Sequence, residues 1–270
     1  MSRWLKLALC VLAVSITSKG EALDPKTKDP RLIAQAAFDA QTGPKTISRV
    51  KMSIKNRNGS RERVMTMRNR RVGEERKTLI LIEQPADVRN TGFLSIDHGA
   101  KGGSDEQWLY LPKLHRVSRV PSSGKADSFV GSDFTISDLS PQDANNFELK
   151  LVEASTKVGD DECWLIEATP RNEKVAAETG YEKSQFWVSK QKLVPLQIKT
   201  WVTGGKRTKY FKAADVRQVD GVWTAHRLQM RTLEGTDVVS ETLIEVLSVD
   251  NDAEEVTDTD FTQQRLERGV

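Results

Sequence analysis

The chain has 270 residues, with 41 Lys and Arg against 38 Asp and Glu and a formal charge of +3. Arg3, Lys6 and Lys19 against Glu21 fall within the first 22 residues, so the remainder carries about +1, which excludes a nucleic-acid binder working through global basicity. A charged fraction of 29% and no apolar run near the roughly 20 residues of a spanning helix place the protein outside the bilayer.

Residues 1–22 read as a signal peptide. Arg3 and Lys6 precede the apolar run Leu7 to Val14, and Gly20 and Ala22 supply the small residues of a cleavage site after Ala22. Cys10 lies inside the apolar run behind Leu9, which does not suit a lipidation site. Export with loss of this segment leaves Cys163 as the one cysteine, so no intrachain disulfide is expected and stability must come from burial. Beside Trp164 and Leu165, that thiol is expected to be a buried apolar group.

Residues 23–270 then read as a single domain. Pro30, capped by Asp29, opens a helix to about Ala40 that ends at Gly43 and Pro44. Leu32, Ile33, Ala36, Ala37 and Ala40 form its apolar stripe. From Lys45 the pattern is β. Strands are expected over 78–83, 93–97, 107–111, 115–120, 146–153, 163–169 and 184–189. Turns at Asn58-Gly59, Gly204-Gly205, Asp220-Gly221 and Glu234-Gly235 mark hairpins, the last three within a C-terminal antiparallel meander. About a dozen strands exceed what a flat open sheet accommodates, so the sheet should curl, with the helix and residues 121–145 filling its concave face. In Leu79 to Ile82 and Trp108 to Leu111 both strand faces are apolar, which predicts a cover on each side. A short helix is expected near Phe261 to Leu266.

Residues that carry chemistry are sparse. His98, His115 and His226 stand apart from one another and fit no metal pattern, and no nucleophile elbow, phosphate loop or dinucleotide fingerprint occurs. No catalytic residue, cofactor or metal is therefore expected. Arg57 to Lys77 is rich in arginine and reads as a solvated edge strand, with Arg61 and Arg63 on the face shared by Met65 and Met67. The stretch Asp105 to Leu139 runs from an aromatic strand, "QWLYLP", through Lys113, His115, Arg116 and Arg119 into a long Ser/Gly-rich loop containing Phe129 and Phe134. Long loops inside compact domains are functional or disordered, and the embedded aromatics favour a loop folded over an apolar surface.

"WLYLP", Arg116, Arg119 and "SFVGSDFTISDL" resemble the signature of the LolA-like outer-membrane lipoprotein-sorting proteins, over nearly all of the chain after residue 22. The resemblance implies a mainly β (α+β) fold: a strongly curved, unclosed antiparallel sheet, a half-barrel, with an N-terminal helix and a helix or loop lid over its concave face. It also implies a non-catalytic, monomeric periplasmic carrier that takes a lipid or lipoprotein acyl chain into an apolar cavity and moves it towards the outer membrane. This longer subfamily is thought to work beside inner-membrane transporters of the resistance-nodulation-division (RND) type. Trp108, Tyr110, Phe129 and Phe134 are the expected walls or lid, and Arg116 and Arg119 the expected rim for an anionic head group. The alternatives are a sensor or adaptor docked on such a transporter or on a signalling protein, and a lipid-modifying enzyme using Ser132 or Asp133.

Overall fold

A computed structural model describes residues 23–40, 43–99, 105–140 and 142–270, so the expected signal peptide and its cleavage point lie outside the described residues. Helix α1 (Pro30–Asp39) begins where expected, with the Asp29 carboxylate accepting from the backbone N–H groups of Arg31 and Leu32. Its buried residues are Ile33, Ala34 and Ala37, whereas Leu32 is 53% exposed, so the helix sits rotated from the stripe read in the sequence.

Thirteen strands follow: β1 (Lys45–Asn56), β2 (Gly59–Val72), β3 (Glu75–Gln84), β4 (Gly92–Asp97), β5 (Glu106–Leu111), β6 (Arg116–Arg119), β7 (Phe147–Val158), β8 (Asp161–Pro170), β9 (Tyr181–Ser189), β10 (Pro195–Val202), β11 (Arg207–Val219), β12 (Val222–Glu234) and β13 (Asp237–Asp250). Helix α2 (Glu173–Thr179) interrupts the series between β8 and β9, and α3 (Gln263–Arg268) closes the chain. These thirteen strands of the described residues belong to one antiparallel sheet of order β6-β5-β4-β3-β2-β1-β13-β12-β11-β10-β9-β8-β7. Each strand pairs with its sequence neighbour, except that the first pairs with the last and β6 and β7 are left as free edges. Hairpin chemistry fixes these pairings. Asp220 and Gly221, at φ 53° and 79°, give the doubly left-handed turn that matches strand twist and sets Val219 against Val222.

The arginine-rich β2 is not an edge strand. It pairs with β1 over 59–70 and with β3 over 64–72, so its charges are distributed to two faces, exposed at Arg61 and Glu62 and half-buried from Arg68 to Arg71. Arg68 and Arg70 meet Asp260 and Asp258 of the C-terminal segment at 3.6 and 3.0 Å. Arg71 belongs to the opposite face, which it shares with Met65 and Met67.

Ten successive strands, β3 round to β7, line one cavity. At about 4.8 Å between neighbours, a flat sheet would separate β3 from β8 by nearly 40 Å, so the sheet must curl around that space. Leaving the β6 edge, the chain can reach the β7 edge only by crossing the opening, and residues 120–140 and 142–146 lie along that inner face. Phe129, Phe134 and Ile136 of this strap pack on Val50, Met52, Met65, Ile80, Phe93 and Ile244. The outer face of β3 to β5 is covered separately. Leu79, Leu81, Leu94 and Tyr110 pack beneath Ala253, Val256, Phe261 and Leu266 of the C-terminal segment. This double cover accounts for the apolar runs in β3 and β5. A third cluster seats Ile33 and Ala37 of α1 on Trp164, Ile166 and Val188.

Cys163 is fully buried, and burial, followed by the charge of Asp161, pushes its thiol up to about 11. Since only the thiolate reacts readily, iodoacetamide at neutral pH should leave the folded protein unmodified and label Cys163 after unfolding in urea. Mass spectrometry would read both states, and rapid labelling of the folded protein would contradict this burial.

Candidate functional site: an apolar cavity under a strap

The cavity holds about 450 Å³ between the inner sheet face, the strap and the end of α1. That lies within the range of small-molecule sites. Strand register orders its lining in rows. Arg71 faces Arg76; next come Thr46, Asn69 and Thr78, then Ser48, Met67 and Ile80, then Val50 and Met65. On β1 to β3 polar groups are thus gathered at one end and the surface turns apolar along the strands, while Asp138, Tyr181, Lys183, Ser184 and Thr200 add a second polar group to the lining from the strap, β9 and β10. Ile198, Phe211, Leu228, Met230 and Ile244 supply the far wall, and Phe38, Phe129, Phe134 and Leu139 close over it.

The strap is built as a self-closed loop. Phe129 N–H donates to the Phe134 carbonyl at 2.8 Å, Ile136 N–H to Asp127 at 3.0 Å and Ser137 N–H to Lys125 at 2.8 Å. Its tip uses two left-handed residues, Val130 at φ 47° and Gly131 at φ 78°. The first is strained for a β-branched side chain, and the second is what glycine permits without cost. One side chain fastens this loop to the sheet. Asp133, 5% exposed, accepts from the hydroxyls of Thr232 at 2.5 Å, Thr242 at 2.7 Å and Ser240, while its own N–H donates to Thr242 Oγ1 at 2.9 Å. Beside it, Lys209 Nζ donates to the Asp133 carbonyl at 2.6 Å and to Tyr181 Oη at 3.2 Å, and Tyr181 Oη donates to Asp138 at 2.7 Å. Burial lowers the pKa of Lys209; burial first, then the Asp138 charge, raises that of Tyr181 well above its ordinary value.

The residues read from the sequence separate in space. Phe129 and Phe134 line the cavity. Trp108 and Tyr110 pack in the outer-face cluster under the C-terminal segment, because on β5 they alternate with Leu109, which packs on the inner cluster. Arg116 and Arg119 are three apart on the edge strand β6 and therefore point to opposite faces. Arg116 stands opposite Leu111, while Arg119 stands opposite Trp108 with its guanidinium 3.9 Å from Glu106. They do not form one rim. Ser132 Oγ is spent on the backbone of Phe134, at 3.2 and 3.3 Å, and the Asp133 carboxylate on hydroxyl donors, so neither is arranged as a nucleophile or its base.

Sequence reasoning missed the cation pair at the polar end. Arg71 Nη2 and Arg76 Nη1 lie 3.4 and 3.6 Å from the same oxygen, Asp39 Oδ1, at the end of α1. The signal was present in the spacing. Arg71 and Arg76 flank the tight Gly73-Glu74 turn symmetrically, which makes them a cross-strand pair. Among the described residues no cluster of His, Cys, Asp and Glu is suited to a metal, and no helix is long and apolar enough to cross a membrane.

Comparison with known proteins agrees with this architecture. A domain from Vibrio parahaemolyticus described as an outer membrane lipoprotein-sorting protein superposes with a TM-score of 0.77 at 27% identity, covering 91% of this chain and 100% of that one. A DUF1329 family protein from Desulfovibrio piger matches with a TM-score of 0.77 at 26% identity, over 89% of this chain and 100% of that one. A LolA superfamily protein from Nitrosomonas europaea shares the fold, with a TM-score of 0.65 at 14% identity over 88% and 99% of the two chains. No curated protein sequence matches the chain. A family model described as an uncharacterized protein matches residues 74–268, most of the sheet together with the strap and the C-terminal segment. The chain belongs to that family, and its unclosed thirteen-stranded sheet is the LolA-like fold of the outer-membrane lipoprotein-sorting proteins.

Proposed function

We propose that the protein is a non-catalytic periplasmic carrier that takes a lipid or lipoprotein acyl chain into the cavity and moves it towards the outer membrane. It would act as one domain over residues 23–270, as a monomer, after export and cleavage behind Ala22. The observation that carries this reading is the cavity, with a continuous apolar surface of Met65, Met67, Ile80, Phe129, Phe134, Phe211 and Met230 that runs on β1 to β3 from a polar end. Each methylene that leaves water for such a surface contributes about 0.8 kcal/mol, so a long acyl chain gains affinity with no polar partner along its length. In this reading Phe129 and Phe134 are a fixed wall, because Asp133 ties the loop between them to β12 and β13. Trp108 and Tyr110 support the fold from the outer face. An inner-membrane RND-type transporter is the proposed partner at loading or release.

The test is the lipid content of the protein purified from the periplasm without detergent, measured by mass spectrometry of organic extracts, beside displacement of a fluorescent fatty acid. A stoichiometric lipid is expected. Met67→Trp, which fills the middle of the cavity from β2, should weaken acyl binding at least about tenfold while leaving the urea midpoint nearly unchanged. A folded wild-type protein that carries no lipid and binds no acyl ligand would overturn the carrier reading in favour of a docking module.

A further inference from the structure

An apolar chain needs no cations, yet five line the cavity. Arg70 and Lys77 are held by Asp258 at 3.0 and 3.1 Å and Lys183 by Glu167 at 3.2 Å, which leaves Arg71 and Arg76 at the polar end. Arg71 and Arg76 are directly opposed on β2 and β3, and their side chains are 37% and 18% exposed. Arg76 is braced on its other edge by Asp97, with Nε and Nη2 at 3.1 and 2.9 Å from Oδ2. Arg71 donates from Nε to the Gly73 carbonyl and from Nη1 to the Asp39 carbonyl, both at 3.3 Å. What the two guanidiniums share is one carboxylate oxygen, Asp39 Oδ1, at 3.4 and 3.6 Å. Those separations are well beyond the roughly 2.8 Å of a strong charge-assisted hydrogen bond. Asp39 is the last residue of α1, with its side chain 31% exposed, and so holds the pair loosely and within reach of solvent.

We propose that this end of the cavity binds the anionic head group of the acyl ligand, a carboxylate or a phosphate, with Arg71 and Arg76 as donors and Asp39 as a built-in competitor. The inference rests on the carrier reading and adds the charge class of the cargo. Guanidiniums stay charged at every physiological pH and match the geometry of carboxylate and phosphate oxygens. An acyl chain lying along Met67, Met65 and Val50 places its head at the arginine row, with Asn69 and Thr78 in the row between. Asn69 Oδ1 already accepts from Thr78 Oγ1 at 2.9 Å, so its amide N–H groups are available to an ester or glycerol oxygen there. The incoming anion replaces Asp39 on both guanidiniums, and a neutral head group leaves the trio as it is.

The experiment measures binding of hexadecanoic acid, hexadecyl phosphate and hexadecanol to the full chain after residue 22, by displacement of an uncharged pyrene-labelled alkane. In the wild type at least one anionic ligand should bind about tenfold more tightly than the alcohol. The tighter of the two anions identifies the head group as carboxylate or phosphate ester. Arg71→Gln with Arg76→Gln should bring that anion level with the alcohol while leaving alcohol affinity unchanged. Should the double variant fold poorly, Asp39→Asn decides, because it keeps both arginines: it should tighten the anion several-fold and leave the alcohol alone. Equal binding of all three ligands by the wild type, a preference that survives loss of both arginines, or no gain in Asp39→Asn would each overturn the head-group site while leaving the carrier intact. Failure of the wild type to bind any of the three would remove the carrier reading and this site with it.

Discussion

Replacing Asp133 by alanine is expected to lower the stability of the protein by about 3 to 5 kcal/mol, read as a lower urea midpoint. The carboxylate is buried, and three hydroxyls from two strands donate to it. Hydrogen bonds to a charged group contribute roughly 1.5 to 3 kcal/mol each, and stranded donors add a desolvation cost. The three do not add fully, since the hydroxyls share one acceptor and can rotate. Asp133→Asn keeps the shape and one acceptor oxygen and should cost less. Limited proteolysis adds a second reading, since cleavage within the strap should appear in Asp133→Ala before global unfolding. If Asp133→Ala unfolds within 1 kcal/mol of the wild type, the strap is held by Phe129 and Phe134 alone.

Trp164→Ala should be comparably damaging, at about 3 to 5 kcal/mol. Trp164 is fully buried and packs with Ile33 and Ala37 of α1, Ile166 and Val188, and its indole Nε1 donates to the Thr27 carbonyl at 3.2 Å. It fixes both the helix and the segment leading into it. Alanine would leave a large void and an unmet carbonyl, so α1 should loosen with the rest of the fold still formed. Hydrogen exchange should then show the amides of residues 31–39 losing protection ahead of β11 to β13. Uniform loss of protection would mean that α1 and the sheet unfold as one unit, with no separate opening of the helix.

These effects show which parts of the molecule are legible in sequence. Hairpin turns such as Asp220-Gly221 act over a few residues, so the meander could be read directly. The double cover of β3 was equally visible, because Leu79 to Ile82 leaves no polar face. Helix α2 was not read, although Asn172 caps it and Gly180 ends it, because seven residues give too short a window for helical periodicity. The site was harder. Phe129 and Phe134 stood out as aromatics in a polar loop, but Trp108 and Tyr110 look identical in composition and lie on the other face; only the parity of the register separates them. Arg116 and Arg119 failed as a rim for the same reason. The role of Asp133 depends on Thr232, Ser240 and Thr242, about a hundred residues later. Those hydroxyls stand where the strand pattern would place apolar residues, a local irregularity whose meaning needs the fold.

The placement of the chain ends within the sheet bears on how the protein is made. Strands β1 to β6 and β7 to β13 are each simple meanders of neighbouring pairs, and a single seam, β1 against β13, joins them. That seam matches Ile47 with Asp250 and Asn56 with Ser240, the most distant strand pairing in the sequence. Loop closure makes such contacts late and slow to form, whereas the hairpins on either side assemble locally. The first six strands therefore wait, one flank of β1 unpaired, until the last strand of the sheet arrives. During folding that flank is an open template for other chains, and its charged Lys51 and Lys55 oppose mispairing until Glu245 and Glu241 take their places opposite them.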